Sequence, residues 1–414
     1  INAPFRNVVA YPFQGEGDYR IVAFQGSTEI GISSGVNTFT VGHAWNLPDT
    51  FTKLDYGLYW FKDVKNGMRG RGSLQHDEYF DPSKPTVIYV HGWQQDEVGR
   101  RRRESWLRQD PLNDAITHDM CKIWKRQGYN VGMFNWNQFA DGELLTSQAN
   151  IYYIATESGL PAGHSMIYAR LDSNGKSGRH IFATGTGGAI EGKTVCDLFA
   201  AELSRCMQGY VPGPNKEFRM IGHSLGTQVV GRTCDAIRNN PGWGIPLPTR
   251  ISLLEIAQIN GLDPTGLNIP ELQRGYISGL AGAQVAIDCY QSTDLQSLLG
   301  VNLAWVGPIH DMSAYCRWRP DYIKPLSVGL HVFAKSHNEM VRWYMQSFDY
   351  YESQFKAFTY LPLSPIPYES VGYSLSATTT NTRGRTLMSG NYWYEQTVGK
   401  DTSTMLDDVF ERKN

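Results

Sequence analysis

The chain has almost no charge imbalance: 38 Lys and Arg stand against 40 Asp and Glu in 414 residues, a net charge of -2. No bulk field therefore draws it to nucleic acid or to an anionic membrane. It lacks any apolar run near the roughly 18 residues that would suggest a membrane span. No Asn-x-Ser/Thr triplet occurs, so there is no acceptor for N-glycosylation. Cysteine is scarce, with six in all: Cys121, Cys196, Cys206, Cys234, Cys289 and Cys316. Their spacings match no zinc site, and nothing else in the sequence points to a metal or an organic cofactor. Cys196 and Cys206 are expected on one helix, separated by about 15 Å, too far for a disulfide. Cys121, Cys196 and Cys234 read as buried thiols in apolar helical stretches. Cys289 and Cys316, in loop-rich sequence, are the best candidate pair.

What is present is the composition of a globular protein, 41% hydrophobic and 19% charged, long enough for two or three domains. The first 80 or so residues are rich in Gly, Thr and aromatics, with short β-like runs such as YRIVAFQ and YGLYWFKDV. After Pro85 the pattern alternates. TVIYV, YNVGMFNW, EFRMI and RISLLEIAQINGLDP read as strands. Helical stretches end near MCKIWKRQG, run from Gly192 to Met207, and cover LGTQVVGRTCDAIR. Such alternation predicts an α/β architecture, a mostly parallel sheet with helices on both faces. Residues 155–190 interrupt it with a hairpin around Asn174-Gly175. LPLSPIP reads as a linker, and residues 356–414 as a C-terminal extension of short antiparallel strands, too short for a substantial second domain. The catalytic unit is thus expected within 1–355.

Gly-x-Ser-x-Gly occurs twice, around Ser33 and around Ser224. Ser33 lies between polar QGSTEIG and VNTFTVGHAW, which has no helical period, and reads as a loop or hairpin serine. Ser224 follows the apolar run FRMI and precedes an amphipathic helical stretch. A strand, a tight turn and a helix are the context in which this motif lifts a serine hydroxyl out of a sheet, with glycines where the two backbones nearly touch. The N–H of Leu225, at the helix start, would then face a bound carbonyl oxygen.

A serine nucleophile needs a base, a carboxylate that orients the base, and donors for the oxyanion. On this arrangement acid and base follow the serine in the chain. Asp263, at the end of a strand, is the favoured acid. Asp288 and Asp311 are less well placed, and Asp235 would point away from inside the helix. His337, in a loop leading into an amphipathic helix, is the favoured base, then His310; His331 is embedded in apolar VGLHVFA. His91-Gly92-Trp93, just past TVIYV, supplies the second oxyanion donor as the Trp93 N–H. His91 is read as a packing residue that braces this loop. The arginines of GRRRRES are read as a solvated helix start in preference to a site for anionic head groups.

Taken in order, VIYVHGW, YNVGMFNW, MIGHSLGTQVVG, INGLDPTG, GPIHDMSAY and SHNEMVRWYMQSF resemble the pancreatic-lipase-like family of secreted lipases and phospholipases A1, over about Thr86 to Phe348. The resemblance implies an α/β-hydrolase fold and an ester hydrolase with Ser224, Asp263 and His337 as triad. It implies Trp93 and Leu225 backbone N–H groups as the oxyanion hole, and demotes His310 to a structural position. It also implies a lipid ester substrate at a lipid–water interface, triacylglycerol or phospholipid, and no cofactor. Several features depart from the family. The Ser-to-Asp gap is longer, the 155–190 hairpin is extra, the lid at about 316–336 lacks the family's disulfide, and the tail cannot hold the family's β-sandwich. A start at Ile1 leads to the expectation of a processed, secreted or extracellular protein.

Overall fold

The computed structural model describes residues 54–64, 78–109, 117–154, 165–171, 178–182, 190–213, 216–258, 267–290 and 330–347, residue 51, and short strands elsewhere. Its centre is one ten-stranded sheet. The strands in chain order are β1 (Gly57–Asp63), β2 (Asn66–Arg69), β3 (Thr86–Val90), β4 (Asn130–Asn135) and β5 (Phe218–His223). Then come β6 (Arg250–Leu254), β7 (Ala286–Tyr290), β8 (Cys316–Arg319), β9 (Trp393–Val398) and β10 (Val409–Lys413). Across the sheet the order is β2-β1-β4-β3-β5-β6-β7-β8-β9-β10. From β4 to β9 every neighbour is parallel. The antiparallel pairs lie at the edges, where β1 joins β4 and β2, and β10 joins β9. The strands of the C-terminal extension therefore extend the central sheet. Ile167–Leu171 and Gly178–Phe182 form a separate antiparallel ribbon in the expected hairpin region.

Every residue of β3, β4, β5, β6 and β7 is buried, as continuous apolar runs require when a parallel sheet is covered on both faces. The helices are α1 (Met120–Arg126), α2 (Asn137–Ala140), α3 (Leu144–Ala149), α4 (Val195–Cys206), α5 (Gly226–Asn239), α6 (Ile269–Gly282) and α7 (Leu330–Ser347). A capping box starts α4: the Thr194 hydroxyl accepts from the Asp197 N–H, and the Asp197 carboxylate accepts from the Thr194 N–H at 2.8 Å.

Alternation along β5 sorts the two helical layers. Met220 meets the Cys234 thiol of α5, and Gly222 lies under the start of that helix. Arg219 donates to the Tyr344 hydroxyl of α7, and His223 reaches the His337 carbonyl. α5 thus covers one face and α7 the other, with α1 beside it through the Trp124 indole on Met345.

The cysteine expectation changes. Cys289 is buried on β7, where register sets it opposite Arg317, while Cys316 stands opposite Asp288. Cys289 forms no disulfide, so the two are not a pair. Of the proposed lid, Cys316–Arg319 is β8 and the part from Leu330 is helix α7; residues 320–329 lie outside the described residues.

Candidate active site

The elbow is built by three close approaches. β5 ends at His223, and Ser224 turns the chain with φ 54°, a left-handed value that a non-glycine residue rarely takes. Leu225 returns to helical angles as the N-cap residue of α5. The turn is tied down by the Ser224 N–H on the Leu254 carbonyl at 2.9 Å, and by the Thr227 N–H and hydroxyl on the Ser224 carbonyl at 3.0 and 2.7 Å. A Cβ on Gly222 would lie 2.6 Å from the Gly226 carbonyl oxygen; one on Gly226 would lie 2.3 Å from the Val90 oxygen. Both positions therefore require glycine.

The loop after β3 closes on the serine. A Cβ on Gly92 would lie 2.6 Å from the Ser224 Cβ, so the Gly92–Trp93 segment abuts the serine side chain. Its geometry is set from behind. The Trp136 indole N–H donates to the His91 carbonyl at 2.8 Å, and the Trp136 backbone N–H reaches His91 Nε2 at 3.2 Å. Nε2 is thus the acceptor, and Nδ1 carries the proton that it donates to the Gly92 carbonyl at 2.9 Å. Burial holds the His91 pKa below its ordinary value, so the ring is a neutral brace, as its position in the sequence suggested. The Trp93 indole N–H donates to the Gly142 carbonyl at 2.7 Å, while 38% of the residue remains exposed beside the elbow.

His337 comes from α7. The helix begins at Leu330, well before the loop-to-helix boundary expected at His337, because no Pro or Gly interrupts the chain between Leu330 and Ser347. The ring of His337 stands 4.7 Å from that of His223, centroid to centroid. His223 Nε2–H donates to the His337 carbonyl at 2.9 Å, which pins α7 to the residue before Ser224. On the other side of His337, Nδ1 lies 3.6 Å from Glu255 Oε2. Glu255 was not among the expected acids. It is the first residue past β6, where the sequence reading carried the strand on through IAQI; no Pro or Gly in RISLLEIAQI marks the stop at Leu254.

The other expected residues divide clearly. Asp263, Ser33, His310 and Asp311 lie outside the described residues. Asp288 sits two residues below the strand ends and accepts from Ser252 Oγ and the Tyr290 hydroxyl, each at 3.1 Å. Asp235 points along α5 to Arg238 and Asn239. GRRRRES is a turn followed by an irregular stretch, not a helix start. Arg100 and Arg101 are exposed, as a solvated run requires, while Arg100 and Arg102 pair with Glu97 and buried Arg103 pairs with Asp55. The loop is thereby held in place by ion pairs.

Glu104 completes that loop. It accepts from the Tyr89 hydroxyl and the Arg108 guanidinium, and from Gln94 Nε2 at 2.6 Å. Burial alone would raise its carboxyl, but Arg108, the nearby histidines and the Tyr89 hydroxyl outweigh it and hold the pKa near 2. His223 moves the same way for a different reason: burial, then the charge of His337, push its pKa down to about 3. Relative to ordinary values of 4.5 for Glu and 6.5 for His, both groups bind fewer protons folded than unfolded at moderately low pH. Stability should therefore fall as pH drops from 6.5 toward 3 through His223, and from 4.5 toward 2 through Glu104. Thermal melts across this range check it. Glu104→Gln should leave Arg108 largely buried without its carboxylate, cost about 3–5 kcal/mol at neutral pH, and remove the Glu104 share of the acid sensitivity below 4.5 while leaving that of His223.

Among the described residues no group of His, Cys, Asp and Glu is placed to hold a metal, and no helix is long and apolar enough to cross a membrane. The deciding features are the parallel sheet in this order, helices on both faces, and a strained serine between β5 and α5 at the carboxyl ends of the strands. This is the α/β-hydrolase fold. No known family profile matches the chain, and no curated protein matches it. Solved α/β-hydrolase-like structures overlap it weakly. A lipase-esterase related protein from Clostridium acetobutylicum ATCC 824 is 11% identical over 52% of this chain and 77% of its own, at a TM-score of 0.22. The thioesterase domain from the curacin biosynthetic pathway is 12% identical over 58% and 84%, at 0.22. An inhibited esterase B from Lactobacillus rhamnosis is 12% identical over 74% and 91%, at 0.25. Overlaps this loose carry no argument about chemistry, which must come from the α/β-hydrolase site itself.

Proposed function

We propose that the protein is a serine hydrolase of carboxylic esters. The observation that carries this reading is Ser224, a non-glycine residue held at φ 54° on the elbow with Gly92 packed against its side chain. His337 takes the hydroxyl proton as Ser224 Oγ attacks the ester carbonyl. The N–H groups of Trp93 and Leu225 receive the oxyanion; losing one such donor typically costs about 2.7–4 kcal/mol of transition-state stabilisation. His337 then gives its proton to the departing alcohol, and afterwards activates the water that releases the acid from the serine.

The substrate class is a lipid ester, triacylglycerol first and phospholipid second, taken up at a lipid–water interface. Supporting this are the family resemblance and the exposed Trp93 indole beside the nucleophile, an amphipathic ring suited to an interface. Fatty-acid release from triacylglycerol emulsion and from phospholipid vesicles, side by side, tests the reading with Ser224→Ala as blank. Release that disappears in the variant is the expected result, and the faster substrate names the class. Silence on both, on soluble short-chain esters, and toward a covalent serine probe would leave a hydrolase fold retained for binding, and the reading would be wrong.

A further inference from the structure

An oxyanion donor is effective only if it is aimed before the charge arrives. Trp93 stands on a loop and keeps 38% of its surface exposed, so burial alone does not hold it. The geometry points to Gln94, the next residue, as the positioning residue for the Trp93 N–H; this rests on the ester-hydrolase reading.

Gln94 is tied by both ends of its side chain and by its backbone. Its Nε2 donates to Glu104 Oε2 at 2.6 Å, its Oε1 accepts from the Asn137 side-chain amide, and its N–H donates to the Ala140 carbonyl at 3.0 Å. An ionised carboxylate only accepts, so turning the Gln94 amide end for end would lose both side-chain bonds. Glu104 is itself held, by the Tyr89 hydroxyl of β3 and by Arg108. Asn137 opens α2 and follows Trp136, the residue that holds His91. One amide therefore joins the loop after β3 to the Glu104 segment and to the start of α2.

The peptide before Trp93 is aimed from the other side. The Gly92 carbonyl and the Trp93 N–H belong to one planar trans unit, so they point in opposite directions. His91 Nδ1 donates to that carbonyl at 2.9 Å, which turns the N–H away from the His91 ring. Gln94 fixes where the chain leaves Trp93, and the indole bond to Gly142 fixes the Trp93 side chain. Gly92 abuts the Ser224 side chain, so a small shift of this loop changes the gap between donor and nucleophile. A misplacement of about 1 Å can cost on the order of 10²-fold in rate. The charge behind the loop is balanced too. A lone carboxylate at Glu104 would oppose a developing oxyanion, and the Arg108 guanidinium paired with it offsets that charge.

The test compares Gln94→Leu, Gln94→Glu, the exchange of Gln94→Glu with Glu104→Gln, and Arg100→Gln. It reads kcat and KM on a soluble p-nitrophenyl ester, inhibition by phenylboronic acid, and melting temperature. Endpoint titration with a covalent serine probe counts active sites, so unfolded protein does not enter the rate. The serine oxygen adds to the trigonal boron, its proton passes to His337, and the tetrahedral adduct presents a boron-bound oxygen to the oxyanion donors. Gln94→Leu should lower kcat about 10–100-fold, leave KM within about threefold, and weaken the boronic acid by about the same factor as kcat. Gln94→Glu sets two carboxylates face to face and should lose at least as much. The exchange restores one donor and one acceptor between the same two positions and should regain part of the loss. Arg100→Gln, in the exposed part of the same loop, should stay within about twofold of the wild type. A residue with only a structural role would move the melting temperature and leave kcat per active site and boronic acid affinity unchanged. Should Gln94→Leu fail to fold, Gln94→Glu is read in its place, and its kcat per active site must fall. Wild-type kcat and boronic acid affinity in Gln94→Leu, or an equal loss in Arg100→Gln, would overturn the assignment. Turnover surviving in Ser224→Ala would instead overturn the ester-hydrolase reading, so the two failures are distinguishable.

Discussion

A double variant, Ser224→Ala with His337→Ala, should hydrolyse ester no more slowly than either single variant, although each single change lowers kcat on the order of a million-fold. The reason is that the two side chains act in one event. Without the hydroxyl there is no proton for the imidazole to take; without the imidazole the hydroxyl is a poor nucleophile at neutral pH. Removing the second partner then removes nothing. What remains in all three variants is the contribution of the Gly92–Trp93 loop, the Leu225 N–H and substrate binding, which in such sites still exceeds water by roughly 10³–10⁴-fold. Single-turnover rates for the four proteins on one soluble ester decide the matter. Losses that multiplied in the double variant would mean that Ser224 and His337 work independently, and the elbow chemistry would have to be abandoned. Melting temperatures should vary little across the set, since Ser224 is tied down through its backbone, by the Leu254 and Thr227 hydrogen bonds, which alanine retains.

The elbow was legible in the sequence because its physics is local. An apolar run, two glycines and an amphipathic stretch occupy consecutive positions, and the same pattern around Ser33 lacked the helical half. The strands β3, β4 and β5 were legible for a related reason, as short β-branched or aromatic runs bounded by polar residues. The carboxylate beside His337 was not. Its position depends on where β6 stops, and RISLLEIAQI has no breaker to mark the end; the stop is set by the length of neighbouring strands and by the Tyr290 carbonyl that takes the Glu255 N–H. The start of α7 failed in the opposite direction, since a polar Lys-Ser-His stretch reads as loop until tertiary contacts hold it helical. His223 anchors that helix on β5 through the His337 carbonyl, a contact spanning over a hundred residues. The arginines of GRRRRES show the same limit. Nothing local announces that Arg103 will be buried on Asp55, a partner 48 residues earlier.

Gly226→Ala should be more damaging than alanine at Gly222 or Gly92, the other glycines packed at the elbow. The new Cβ would sit 2.3 Å from the Val90 carbonyl oxygen and 2.5 Å from that of His91. Both contacts are backbone, and neither atom can turn away as a side-chain end can. Val90 ends a strand hydrogen-bonded to neighbours on both sides, in register with Phe134 and Gly222. His91 is held through its carbonyl by the Trp136 indole. Relief must come from α5 lifting off the sheet, which would open the contact between its Val229 and Val230, both at 0% exposure, and the core. Overpacking usually costs about 1–3 kcal/mol, and more where backbone must move; here the expectation is above 3 kcal/mol, read as a fall in denaturation midpoint. Gly231→Ala gives the contrast, because its Cβ at 2.6 Å meets only Gln273 Oε1, the end of a side chain that can rotate. Gly242→Ala, with nothing within 4 Å, should stay within about 0.5 kcal/mol of wild type. The same shift of α5 carries Ser224 away from Gly92 and Trp93, so whatever fraction of Gly226→Ala remains folded should also lose kcat. A variant that kept wild-type stability and rate would show that the strand and helix do not approach this closely, and would remove the physical reason for glycine at the elbow.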